Sequence, residues 1–107
     1  MSGARQTNHD LDELIGEITV DCYDEDEQLQ GFENAFDEDA SFPLSGTVVG
    51  EHVEIVQIRQ GDGRRELIAT CERAGHRYEV ALLDIADIAA DSQTMRLVAA
   101  YRHWIRA

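Results

Sequence analysis

Between Asp10 and Asp39 the chain carries thirteen acidic residues and neither lysine nor arginine. At a spacing of ~6 Å in water, each neighbouring pair of carboxylates repels by roughly 0.7 kcal/mol before screening. A small domain has only about 5–15 kcal/mol of stability in all. Such a segment must hold its acids on a solvated face or bring a counter-ion to them. The imbalance is local. Residues 1–58 hold 15 acids against Arg5 alone, whereas residues 59–107 hold 7 acids against 8 arginines.

The net charge of −13, with arginine as the only base, excludes several classes of partner. Binding nucleic acid through its phosphates needs a basic surface. Adhesion to an anionic membrane needs the same, and no apolar run approaches the ~20 residues of a spanning helix. A field this negative attracts cations, calcium among them, or a basic protein partner. Met1 to Asp10 lack the apolar core of a secretory signal, so a cytoplasmic protein is expected. Cys22 and Cys71 are too few for a disulfide scaffold and have no zinc-type spacing. The 107 residues suffice for one domain, read here as 10–107 behind a flexible tail, 1–9.

Periodicity places the elements. Asp10 is suited to cap a helix over 11–18, with Leu11, Leu14, Ile15 and Ile18 at helical spacing. Asp24 opens a second helix whose first-turn acids face the positive end of the macrodipole. Leu29, Phe32 and Phe36 form its apolar stripe. Asp26, Glu33 and Asp37 share another face, near Glu27 and Asn34. Asp37, Glu38 and Asp39 crowd the C-terminal end, where the macrodipole disfavours carboxylates. That broken rule raises a functional question. Pro43 closes the helix. Strands are then expected over 44–49, 52–59, 65–73 and 77–83. The turns between them are marked by Gly61-Asp-Gly63 and Ala74-Gly75. Val53 and Ile55 fall on one side of the second strand, Val56 and Ile58 on the other. The stretch 84–88 reads as a short turn or a single helical turn. Asp91 caps a last helix bearing Met95, Val98, Tyr101 and Ile105. The predicted fold is α+β: a small SH3-like antiparallel barrel or meander with two N-terminal helices and one C-terminal helix.

The acidic segment is the chief candidate for chemistry. Asp21, Asp24, Glu25, Asp26 and Glu27 form one cluster, and Asp37, Glu38 and Asp39 a second. Calcium is a hard ion that takes six to eight oxygen ligands, which carboxylates supply. The EF-hand loop is absent: read from Asp24 or from Asp37, position six is Leu29 or Phe42, not glycine. A solvated acidic face and a surface adapted to high salt are the competing readings. Salt adaptation predicts acids over the whole surface, whereas here one half is neutral. His9, His52, His76 and His103 lie far apart, which suits neither zinc nor catalysis. The acidic setting of Cys22 disfavours a reactive thiol, so burial is the expected role. No nucleophile stands in a catalytic motif, and an enzyme is not expected. Phe32, Phe36, Phe42, Tyr101 and Trp104 are read as core.

Several short motifs occur in a telling order: Ile18-Thr-Val-Asp-Cys-Tyr-Asp-Glu-Asp-Glu-Gln28, Ser41-Phe-Pro43, Val80-Ala-Leu-Leu-Asp-Ile85 and Tyr101-Arg-His-Trp-Ile105. Together they resemble the CcbP-like family of small cyanobacterial-type calcium-binding proteins, over about residues 17–105. The resemblance implies a calcium buffer or sensor without an EF-hand, with helices packed on a small barrel. As ligands it points to Asp21, Glu25 and Glu27 in the first motif, and to Asp37 and Asp39 before Ser41.

Overall fold

The computed structural model describes residues 8–61, 63 and 65–106. Helix α1 runs Asn8–Ile18 and α2 Glu25–Asp39. Strands β1 Leu44–Val48, β2 Glu51–Gln60, β3 Leu67–Arg73 and β4 His76–Ala81 follow. A single 3-10 turn, Leu82–Asp84, leads into β5 Ala86–Ala89, and α3 Ser92–Arg106 closes the chain. Among the described residues no helix is long and apolar enough to cross a membrane.

The expected order of elements holds, with two differences at the ends. Helix α1 begins at Asn8, so Asp10 sits in its first turn and does not cap it. It thus takes in two residues of the expected tail; 1–7 lie outside the described residues. The stretch read as a turn at 84–88 holds the last residue of the 3-10 turn and three of the four residues of the extra strand β5. Only Ile88 of its four residues is buried, too brief an alternation to register as a strand.

All strand pairs are antiparallel, in the order β4-β3-β2-β1-β5. The meander is therefore one open five-stranded sheet, with β4 and β5 at its edges. In β2 the register shifts between Ile55 and Gln57. A bulge of this kind adds one residue and reverses the alternation beyond it. Ile58 consequently joins Val53 and Ile55 in the core, not the opposite face that strict alternation assigns it.

Two helices close over the core. Leu29, Phe32 and Phe36 of α2 are buried as the stripe requires. Each such side chain contributes roughly 1.5–3 kcal/mol by leaving water. Phe32 meets Tyr101 edge-on at 5.7 Å and Trp104 at 5.1 Å. Three polar contacts then fix the angles. The Tyr101 hydroxyl accepts from the Leu67 N–H at 2.9 Å, joining α3 to β3. A Glu33 carboxylate oxygen accepts from the Gln60 N–H at 2.7 Å, joining α2 to β2. The Trp104 indole N–H donates to Gln28 Oε1 at 2.9 Å, joining α3 to α2. Helix α1 lies against α3, where His103 Nε2 stands 3.0 Å from Asp12 Oδ1.

Candidate metal site

The acidic segment folds as two helices and the loop between them. Asp21 takes a left-handed φ of 64° there, a conformation that aspartate tolerates better than most residues. Asp24 is the N-cap of α2. Its Oδ1 accepts from the Glu27 N–H at 2.8 Å, and Glu27 Oε1 accepts in turn from the Tyr23 N–H at 2.9 Å. These two bonds hold the start of α2 in place.

The eight residues singled out in the sequence are all exposed, and they face three directions. Glu25 and Asp26 turn toward the β2–β3 connection, where Arg65 stands 3.1 Å from one and 3.6 Å from the other. Asp37 borders a small cleft with Phe42, Gln57 and Arg77. The face expected from Asp26, Glu33 and Asp37 is thus divided among Arg65, the Gln60 N–H and this cleft. It offers no common site. Asp21 stays in the loop and Asp24 is engaged as a cap. Glu27, Glu38 and Asp39 do share a surface, a groove of about 640 Å³ between α2 and the end of α1.

Glu17 and Gln30 line the same groove and were missed in the sequence; Asn34, noted there only as near the acidic face, lines it too. The signal was present: Glu27, Gln30, Gly31, Asn34 and Glu38 recur at i, i+3, i+4, i+7 and i+11, one face of a helix. Helix spacing puts Glu27 and Glu38 about 16 Å apart along the groove. Leu14, Ile18 and Cys22 lie between its walls, with Leu97 of α3 below. Cys22 is half-buried here, not enclosed as expected. Gly31 permits the close approach of the two helices: a Cβ there would sit 2.7 Å from the Ile18 carbonyl oxygen.

The chemistry of the donors fits a hard cation. The groove offers carboxylates and side-chain amide oxygens, and Glu17, Glu38 and Asp39 have no hydrogen-bond or ion-pair partner among the described residues. Preassembly is lacking. Among the described residues no three of His, Cys, Asp and Glu converge closely enough to form a metal cage. The Glu27–Glu38 separation contributes to this, since one ion cannot touch both across about three helical turns. Ligands for an ion must be drawn in from exposed side chains.

The sequence profile of the CcbP family, described as calcium binding, matches residues 12–105. The fold is similar to the crystal structure of Anabaena CcbP, with a TM-score of 0.78 and 23% identity over 94% of this chain and 93% of that one. It is also similar to a calcium binding protein in the calcium-binding form, with a TM-score of 0.75 and 21% identity over 99% and 96%. No curated protein matches in sequence. With its profile matched over nearly the whole chain, and with an acid-lined groove on the matching fold, this protein belongs to the CcbP family of calcium-binding proteins.

Proposed function

We propose that the chain binds Ca²⁺ as a buffer or sensor, in the groove between α1 and α2. Glu17, Glu27, Glu38 and Asp39 supply carboxylates, and Gln30 and Asn34 supply neutral amide oxygens. The observation that carries the reading is the pairing of a calcium-binding family match with groove acids that meet no cation among the described residues. Asp21, Asp24, Glu25, Asp26 and Asp37 belong to the surrounding negative field and are not the primary ligands. Glu25 and Asp26 already face Arg65, and Asp24 caps α2 outside the groove, whereas Glu27 lines the groove and its Oε2 is not engaged by the cap.

Bound Ca²⁺ supplies two positive charges that cancel carboxylate repulsion. The chain's own part is to present oxygens and to give up side-chain freedom as they converge. That ordering costs up to ~2 kcal/mol for each long side chain, so the affinity is modest and suits reversible exchange. Binding, not catalysis, is the role proposed. Cys71 and Tyr101, whose protons burial holds, are sealed in the core.

Calorimetric titration of Glu38→Gln with Asp39→Asn, beside Glu25→Gln with Asp26→Asn, tests the assignment. The groove pair is expected to lose most of the calcium heat and the Arg65-facing pair to keep it. The reverse order would move the site to the start of α2.

A further inference from the structure

We propose that the same groove docks a basic, amphipathic protein segment, and that calcium displaces it. The displacement rests on the calcium reading above; the docking rests on the groove itself. Its volume of about 640 Å³ is far larger than an ion with its water requires, since each water takes only ~30 Å³. Its lining is mixed as well. Leu14, Ile18 and Ala35 stand between acidic walls, with buried Leu97 beneath. An ion gains nothing from apolar carbon. An arginine or lysine side chain uses both parts, laying its methylene stem on the carbon and its charged head against a carboxylate.

The groove's rim points to the same occupant. Val20, which lines the groove, is 65% exposed, and Tyr23 in the adjoining loop is 89% exposed. Apolar side chains held in water beside a groove serve as anchors for a partner. Charge selects which partner: the segment from Asp10 to Asp39 has no base of its own, and a net charge of −13 steers cationic chains toward it. Glu27 and Glu38 set the reach. Two basic side chains about 16 Å apart, or some eleven residues apart on a helix, span the groove. The carboxylates cannot hold a guanidinium and a divalent ion together, so each ligand lowers the affinity for the other by the same factor.

The probe is a fluorescein-labelled helical peptide of leucine, alanine and two arginines eleven residues apart. A scrambled peptide of the same composition is the control, both in 0.15 M KCl. The full chain is expected to bind the ordered peptide at least tenfold more tightly than the scrambled one, with amide shifts concentrated at Leu14, Ile18, Val20 and Ala35. Ala35→Trp fills the groove without changing charge and is expected to weaken binding at least tenfold. Val20→Ser with Tyr23→Ser, at exposed positions that do not endanger folding, is expected to weaken it severalfold. Equal binding of both peptides, shifts spread over acids elsewhere such as Asp84 and Asp87, or unchanged affinity in the serine pair overturns the docking site. Calcium is titrated separately, without peptide. A chain that takes up calcium yet keeps the ordered peptide bound at saturation overturns the displacement. A chain that gives no calcium heat yet shows the groove footprint overturns the calcium reading and leaves the docking in place.

Discussion

Gly16 and Gly31 both lie inside helices, and the structure predicts opposite outcomes for the same substitution at the two. Helix propensity alone favours alanine over glycine by about 1 kcal/mol at each. At Gly16 nothing lies within 4 Å of a new Cβ, so Gly16→Ala is expected to realise about 0.5–1 kcal/mol of stabilisation. At Gly31 the Cβ would fall 2.7 Å from the Ile18 carbonyl oxygen and 3.6 Å from Cys22 Sγ. The oxygen belongs to the backbone of α1 and cannot rotate away. Helix α1 must shift by about half an ångström to restore van der Waals contact, and overpacking of this kind costs about 1–3 kcal/mol. The net for Gly31→Ala is then a loss of about 1 kcal/mol, or a Tm lower by about 4 °C. Urea denaturation of both variants beside the parent measures the two signs directly. A Gly31→Ala variant as stable as Gly16→Ala would refute the close approach of α1 and α2, and with it the groove's geometry.

Tyr101→Phe removes the acceptor for the buried Leu67 N–H, and an orphaned donor costs about 1–3 kcal/mol; equal midpoints in urea would show that the bond contributes nothing. Burial pushes the Tyr101 phenol above its ordinary 10.0 and the Cys71 thiol above 9.0, with Glu66 adding to the first shift. The folded chain therefore holds these protons more tightly than the unfolded chain. That contribution is intact below pH 9 and is lost as pH rises through the folded values. Thermal melts are expected to weaken above pH 9–10, and the fall to be shallower in Tyr101→Phe. Arg65→Gln frees Glu25 and Asp26 from their only cation within 4 Å among the described residues. It is expected to tighten calcium binding severalfold at low salt, whereas Arg73→Gln, at the far end of β3, leaves it unchanged.

Much of the fold was legible because local and global demands agree. The stripe of Leu29, Phe32 and Phe36 has no alternative burial, and all three are enclosed. Asp24 could be read as the start of α2 because a short acceptor side chain there satisfies a free N–H. Ile58 could not be placed, because the bulge that turns it inward leaves no mark on the alternation around it. Strand β5 was missed since four residues with one buried side chain look like a turn. The proposed site was half legible. Charge density pointed to the segment that carries the groove, but density along a chain does not say which way each acid faces. Arg65 claims two of the eight candidates from forty residues away, and a neighbouring helix supplies Glu17. Those are tertiary facts, and only the helical spacing of Glu27, Gln30, Asn34 and Glu38 hinted at the face that matters.

Titrating the full chain with Ca²⁺ in a calorimeter, in 1 M KCl with Mg²⁺ in a parallel cell, tests the central claim most directly. At that salt the Debye length is about 3 Å, so diffuse screening is already complete. The account predicts saturable calcium heat that Mg²⁺ does not reproduce and that falls when Glu38 and Asp39 are neutralised. Heat that vanishes in KCl, or that Mg²⁺ matches, would contradict it and reduce the acidic groove to a solvated face.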